Sequence, residues 1–375
     1  MLSEAQVRNY IYTISREISS IKNTLPQVIR NYEESAFGEE FSIVSLSELS
    51  NKFNEIEEKH VNEISSVDSS TRYLRDTTVG IVMTGMATFS TKEGLILAPY
   101  DKEIRFLGIS ANKDILTKIE DIINTKHIAI RNYIGDYFDQ DYRLDDVADE
   151  LRLESENSAI DDMNGLIIMD GPIYPTPLEL TNVFEFRNMS RETHRKAYAS
   201  LVRDRLNKIK DKEVIGIVKR LENSKKLYKL DEIQKILGKL PPITDPEVLR
   251  LLYHKLCKGE SICILGPFML SYQINVEGIL KDVPPKYAYY VIVKRIVGPS
   301  SFFRVESLNL NTLQYIKSIF SRISCRGIPT WIEIVDTASK KISSSLFIIG
   351  YEISSSFLDI IHDDKLAFDT EVRSF

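Results

Sequence analysis

The sequence is poor in the residues that build thiolate metal sites and disulfide frameworks. Its 375 residues include three cysteines, five histidines and one tryptophan. Cys257, Cys263 and Cys325 form no CxxC pair and have no histidine at ligand spacing, so neither a zinc site nor a disulfide framework is indicated. We therefore expect a reducing, cytoplasmic location.

Long apolar runs are also missing. No run approaches the roughly 18 apolar residues of a membrane span, and residues 1–20 carry charges throughout in place of the apolar core of a signal peptide. The motifs GxxxxGK[ST], GxGxxG and GxSxG do not occur, so no nucleotide cofactor is expected. The net charge of −6 argues against a basic coat protein for nucleic acids.

The spacing of apolar residues divides the chain into two parts. A 4-3 series runs from Val7 to Leu25, and a second runs from Leu46 to Ile64. They predict an N-terminal helical, coiled-coil-like arm over residues 1–63, which either packs within the chain or docks on a partner. Residues 64–375 predict three antiparallel strands, then helix, strand, helix and strand, with a helical insertion at about 223–285. This is the order of an α/β fold with an RNase H-like mixed sheet flanked by helices.

Two aspartates follow apolar runs that are typical of buried strands. Asp68 follows Ile64–Val67, and Asp170 follows Leu166–Met169. Either residue alone could be a turn aspartate. If the sheet brings them together, their charges repel unless a proton or a cation lies between them, and Mg²⁺ or Mn²⁺ is the cation that suits oxygen ligands. The pair predicts a divalent-metal site for phosphodiester cleavage.

Three further residues are candidates for the same chemistry. In the predicted helix before the Asp170 strand, Glu154 falls on the apolar stripe and Glu156 on the solvent face. Glu306 shares a strand face with Arg304, and His362 could transfer a proton to a leaving oxygen. Each has a structural alternative: a helix-surface glutamate, a cross-strand ion pair and a packed histidine.

Basic residues near the predicted sheet edge are candidate contacts for a phosphate backbone. Lys219 and Arg220 follow an apolar strand at 214–218, and Lys225 and Lys226 come shortly after them. Arg304 would lie beside Glu306. A solvated charged surface is the alternative for all of them.

Five short fragments, in order along the chain, resemble motifs of the NurA nuclease family of archaea. Val67–Ser70 resembles VDGS, residues 166–173 resemble a strand ending in DGS, and 216–219 resemble giaK. Residues 303–306 resemble an aromatic-Arg-x-Glu strand, and Gly350-Tyr351 with Ile361-His362 resembles GYP…AH. The chain departs from these motifs where Ser69 replaces Gly, Pro172 replaces Ser and Glu352 replaces Pro.

The resemblance implies a deoxyribonuclease that uses two Mn²⁺ or Mg²⁺ ions. Asp68, Asp170 and Glu154 would hold the metal, and Glu306 and His362 would complete the site. Such an enzyme would be a homodimer with 5′-3′ exonuclease and single-strand endonuclease activity on single-stranded and duplex DNA ends. It would resect double-strand breaks for homologous recombination with a HerA-like hexameric ATPase, alongside Mre11 and Rad50. The alternative is a catalytically weakened paralogue that binds DNA ends or the translocase.

Overall fold

The structure is a computed structural model that describes residues 2–22, 41–122, 125–176, 180, 189–276, 278–295 and 299–374. Within these ranges no helix has the length and apolar character needed to cross a membrane. The helices are α1 Glu4–Lys22, α2 Lys113–Ile122, α3 Leu144–Ile160, α4 Met189–Ile209, α5 Asp231–Leu237, α6 Asp245–Leu256, α7 Ile316–Phe320, α8 Thr330–Ser354 and α9 His362–Ser374. The strands are β1 Phe41–Ser45, β2 Ile64–Arg75, β3 Gly80–Ser90, β4 Gly94–Ala98, β5 Leu107–Ser110, β6 Ile128–Ala129, β7 Leu166–Asp170, β8 Val214–Val218, β9 Ile262–Tyr272, β10 Asn275–Val276, β11 Leu280–Lys281, β12 Lys286–Val293 and β13 Ser301–Ser307.

One mixed sheet forms the centre of the fold. Its strand order is β1-β9-β12-β13-β8-β7-β2-β3-β5-β6, with β4 paired to β3. β2 runs antiparallel to β3 and parallel to β7, and β7 runs parallel to β8. The long β2–β3 pair therefore joins an antiparallel region to a short parallel one.

Helices cover both faces of this sheet, as the continuous apolar runs of β7 and β8 require. A side chain at Gly85 in β3 would collide with α8, whereas one at Gly80 would collide with Leu144 of α3. Residues an odd number of positions apart in a strand face opposite sides, so α8 and α3 lie on opposite faces. α4 packs on α3, and α1 packs on α8.

The N-terminal helix is part of this packing. Val7, Ile11, Ile14 and Ile18 are buried, and α1 contacts α8 and α2 of the same chain. Leu25 lies outside the described residues. The division of the chain at residue 63 stays a prediction.

The predicted second helix, from Leu46 to Ile64, is wrong. The amide of Leu46 donates to the carbonyl of Pro267, and the amide of Lys52 donates to that of Ile264. These bonds continue the β1–β9 pairing along the edge of the sheet. A partner about 220 residues away in the sequence therefore overrides the local helical spacing.

The helical insertion is shorter than predicted. α5 and α6 fall inside residues 223–285, but β9 does too, and β9 pairs with both β1 and β12 in the main sheet. Cys257 and Cys263, on either side of the link from α6 to β9, form a disulfide that the cysteine spacing did not indicate.

Candidate metal centre

Asp68 and Asp170 meet where the parallel pairing of their strands ends. The sequence suggested that Asp68 ends a strand. This is wrong, because β2 continues past Asp68 to Arg75 against β3. The pairing of β2 with β7 stops at Val67 and Met169, and β7 itself ends at Asp170. Ligand sites in α/β sheets commonly open beyond the carboxyl ends of parallel strands, and both carboxylates lie at such an end.

A third aspartate, Asp336 of α8, completes the cluster. One carboxylate oxygen from each of Asp68, Asp170 and Asp336 lies within 4.8 Å of the other two. In the part of the chain that the structure describes, this is the one group of three or more His, Cys, Asp or Glu side chains with that spacing. We call these three residues the aspartate cluster. Its members come from two strands and a helix that are far apart in the sequence.

Two lysines and a serine contact the aspartate cluster. The Nζ of Lys219 lies 2.6 Å from Oδ2 of Asp170 and 2.8 Å from Oδ1 of Asp336. The Nζ of Lys340 lies 2.8 Å from both oxygens of Asp336. The Oγ of Ser339 donates to Oδ2 of Asp68. The two lysines thus contact Asp170 and Asp336, whereas Asp68 accepts a hydrogen bond from a neutral hydroxyl.

The pKa values follow from this unequal pairing. Burial, with repulsion from Asp170, raises the pKa of Asp68 to about 7. Burial also raises the pKa of Asp170 to about 6, despite the ammonium of Lys219. Burial would raise the pKa of Asp336 as well, but hydrogen bonds from Lys219 and Lys340 outweigh it and lower the value to about 2.

The donor set fits a divalent cation. Two buried carboxylates, of Asp68 and Asp336, and the partly buried one of Asp170 offer the hard oxygen ligands that Mg²⁺ and Mn²⁺ take. The raised pKa values of Asp68 and Asp170 mean that the surrounding protein does not fully compensate these two charges. A bound cation would supply the missing compensation, with release of protons.

The sequence containing the cluster matches a known family. The family described as the NurA domain matches residues 62–340. The chain belongs to the NurA domain family. All three members of the aspartate cluster lie within the matched residues.

Solved NurA structures are similar to the chain over most of its length. The NurA nuclease from Sulfolobus solfataricus is 13% identical and has a TM-score of 0.45, with 82% of this chain and 91% of that chain covered. A NurA structure bound to dAMP and manganese is 8% identical, with a TM-score of 0.37 and coverage of 76% and 87%. No curated protein significantly matches this sequence.

Glu154, the predicted third metal ligand, does not lie in the aspartate cluster. Its carboxylate pairs with the guanidinium of Arg105, and its side chain is 28% exposed. Glu156, which the helical pattern assigned to the solvent face, instead accepts hydrogen bonds from Ser69 and from the buried Arg205. The apolar stripe of α3 does face the sheet, since a side chain at Gly108 would collide with Val147 and Leu151. Glu156 is covered because α4, which carries Arg205, packs on another face of the same helix. Ser69, a departure from the NurA motif, holds Glu156 in place.

Glu306 and Arg304 face the opposite side of the sheet from the aspartate cluster. Asp170 is in register with Ile217, and Ile217 with Val305, so Glu306 points away from Asp170. Glu306 is completely buried and pairs with Arg304 at 2.7 Å and Lys286 at 3.1 Å. The predicted metal-ligand and phosphate-binding roles are wrong because the register of β13 against β8 turns both side chains to the other face of the sheet.

His362 is also far from the cluster. It is exposed at the start of α9, and the amide of the preceding Ile361 donates to the carbonyl of Arg75. Arg75 ends β2 seven residues after Asp68, which at ~3.3 Å per residue is about 23 Å. The predicted proton transfer by His362 therefore has no geometric support.

Apart from Arg304, the predicted phosphate-binding residues divide into three groups. Lys219 contacts the aspartate cluster. Arg220 and Lys225 are exposed, and their role stays a prediction. Lys226 is buried, with its Nζ 4.0 Å from the ring centroid of Phe41, so it is not placed to bind a phosphate.

The sequence itself carries a signal for Asp336. Ile332, Val335, Ser339 and Ile342 form the buried stripe of α8, and Asp336 lies on that stripe. Gly327-Ile328-Pro329, just before α8, also keeps the proline of GYP, which Gly350-Tyr351-Glu352 lacks. Both observations favour Asp336 over His362.

Proposed function

We propose that the chain is a metal-dependent deoxyribonuclease, a phosphodiester hydrolase that uses Mn²⁺ or Mg²⁺. The observation that carries this proposal is the aspartate cluster, which lies within the residues that match the NurA domain. Carboxylates that meet in the interior without full compensation of their charges destabilise the folded state, since each isolated charge is strongly disfavoured there. Their convergence is better explained by a bound cation.

Each residue of the site has a distinct part in this proposal. Asp68, Asp170 and Asp336 would hold the ion, which would lower the pKa of an attacking water and offset the charge of the phosphodiester. Ser339 orients the carboxylate of Asp68 through its hydrogen bond. Lys340 also pairs with Asp336 from the next turn of α8, but its side chain is 44% exposed to solvent and has no part in holding the ion in this proposal. A second ion, expected from the resemblance, stays a prediction.

We also propose the RNase H-like form of the sheet. The order β5-β3-β2-β7-β8 supports it, because an antiparallel meander is followed by two strands parallel to the first. In this proposal β4 and β5 share the position of the third meander strand, since both pair with β3.

The cellular role that we propose follows the family. The enzyme would act in the cytoplasm of an archaeon as a homodimer, with a HerA-like hexameric ATPase and alongside Mre11 and Rad50. It would resect the ends of double-strand breaks by 5′-3′ exonuclease and single-strand endonuclease activity before homologous recombination. The exposed Arg220 and Lys225 are candidate contacts for the DNA backbone.

A nuclease assay with end-labelled single-stranded and duplex DNA tests the proposal. With Mn²⁺ present, Asp170→Asn and Asp336→Asn should each reduce cleavage at least about a hundredfold, a loss of about 2.7 kcal/mol in transition-state stabilisation. Glu154→Gln should cleave like the wild type, because Glu154 pairs with Arg105 outside the cluster. Asp162→Asn, at an exposed ion pair with Lys102, serves as the control for a lost surface carboxylate. Wild-type activity in Asp336→Asn would contradict the proposal.

One observation favours the alternative, a weakened paralogue that binds DNA ends or a translocase. The ammonium of Lys219 already contacts two members of the aspartate cluster. If the lysine stays there permanently, the site holds no ion. Calorimetry with Mn²⁺ distinguishes the two proposals, since the paralogue should bind DNA in a salt-dependent way but take up no metal.

A further inference from the structure

The position of Lys219 follows directly from the sheet. Ile217 of β8 is in register with Asp170, and Lys219, two residues further, lies on the same face as both. Its side chain is 20% exposed and reaches the aspartate cluster from the end of the neighbouring strand. Lys340 differs, because it belongs to α8 itself and, within the aspartate cluster, contacts only Asp336, four residues before it.

The ammonium of Lys219 uses oxygens that an ion would need. It lies 2.6 Å from Asp170 and 2.8 Å from Asp336, and so joins β7 to α8 as a bridging cation would. Mg²⁺ binds carboxylate oxygens at roughly 2.0–2.1 Å. An ion that bridges Asp170 and Asp336 and an ammonium that bridges the same pair exclude each other.

We infer that Lys219 is a tethered competitor of the metal ion, which compensates the aspartate cluster in the metal-free chain and is displaced when the ion binds. The inference rests on the proposed function and adds to it a residue that sets the metal affinity. Because its main chain is fixed at the end of β8, the displaced ammonium stays beside the cluster. It is then free to contact an anionic phosphate of the DNA.

Mn²⁺ binding by the full-length chain, measured by isothermal titration calorimetry, tests this inference. Lys219→Met should bind Mn²⁺ about tenfold or more tightly than the wild type, because an ion no longer has to displace a charge in contact with its ligands. Lys340→Met is the matched control. Lys340 also contacts Asp336 but does not bridge two aspartates. The Mn²⁺ affinity of Lys340→Met, which removes the same charge, should therefore differ from that of the wild type by less than about threefold. If Lys219→Met does not fold, Lys219→Gln takes its place in the test. It keeps a polar side chain without the charge and should show the same gain in affinity for Mn²⁺.

The outcomes separate the inference from the proposed function. If the wild type binds Mn²⁺ and both variants at Lys219 bind it equally or more weakly, the inference is wrong and the nuclease proposal stands. The inference is also wrong if Lys219→Met and Lys340→Met gain affinity to the same extent. If only the variants at Lys219 bind Mn²⁺, the inference is supported and the wild type is not a metal-dependent enzyme. If no form binds the ion, both proposals fail.

Discussion

Asp68 shows how a buried carboxylate can oppose stability. Its pKa rises from an ordinary 3.8 to about 7 because it is buried beside another carboxylate. Between these pH values the unfolded chain releases the proton and the folded chain retains it. The folded state therefore loses stability as the pH rises from about 4 to about 7, and the loss persists above that range.

Replacing Asp68 with asparagine should stabilise the metal-free chain. Since the amide carries no charge, the free energy of unfolding of Asp68→Asn should exceed that of the wild type by about 1–3 kcal/mol at pH 8, with a smaller difference at pH 5. Urea unfolding in EDTA at both pH values measures this. Saturating Mn²⁺ should favour the wild type instead. An equal difference at the two pH values would show that Asp68 is not protonated in the metal-free fold.

Glu306 should matter for stability and not for metal binding. Glu306→Gln leaves Lys286 and Arg304 buried without their carboxylate partner, and loss of one member of such a group typically costs about 3–5 kcal/mol. Chemical unfolding should reveal a cost of this size. Calorimetry of the folded variant should give a wild-type affinity for Mn²⁺, because Glu306 is on the other face of the sheet. A large loss of Mn²⁺ affinity in Glu306→Gln would instead support the metal-ligand role that the sequence suggested for Glu306.

Among the elements, α1 is the one for which two roles were left open: a helix packed within the chain or an arm that docks on a partner. Ile14 is 2% exposed on the face of α1 that packs within the chain. Ile14→Ala should lower the free energy of unfolding by about 2–4 kcal/mol, through lost burial and the cavity that remains.

The control for α1 is Asn9→Ala, at an exposed position of the same helix, which should change stability by less than about 0.5 kcal/mol. Oligomeric state, measured by light scattering, should be the same for both variants. If Ile14→Ala instead dissociates an oligomer and leaves the unfolding of the monomer unchanged, α1 is an intermolecular arm.

The elements also show which patterns were sufficient for prediction. β8 has the predicted bounds, and β7 exceeds its prediction by one residue, because each is a short apolar run that must be buried on both faces. The failures lie at the edge of the sheet. The segment that begins at Leu46 has helical spacing, but its Leu46 and Lys52 amides are bonded to β9. Part of the predicted insertion is β9 itself. In both places the outcome depends on a distant pairing partner.

At the scale of the whole molecule, the aspartate cluster brings together residues of β2, β7 and α8. A ligand that binds only the folded state stabilises it by about 2.7 kcal/mol when its concentration is a hundred times its dissociation constant. Mn²⁺ should therefore raise the melting temperature of the chain by several degrees, and the increase should grow with the logarithm of the metal concentration.

Asp336→Asn should largely abolish this thermal shift, whereas Glu154→Gln should retain it, since only Asp336 belongs to the cluster. Differential scanning fluorimetry across a Mn²⁺ series measures both. A metal-dependent shift of equal size in all three proteins would place the ion elsewhere. Ca²⁺, an oxygen-binding ion with a larger coordination sphere, serves as a comparison.

The local sequence was enough to predict the strands that carry Asp68 and Asp170. It also suggested divalent-metal chemistry at this carboxylate pair, which stays a prediction. Apolar runs and donor types are properties of short segments, so they can be read without the fold. Which carboxylates meet depends on strand register and on helix rotation. A shift of one residue turns Glu306 to the far face, and the orientation of α8 brings in Asp336 from 166 residues beyond Asp170. These arrangements arise from packing between distant segments, and only the tertiary structure contains them.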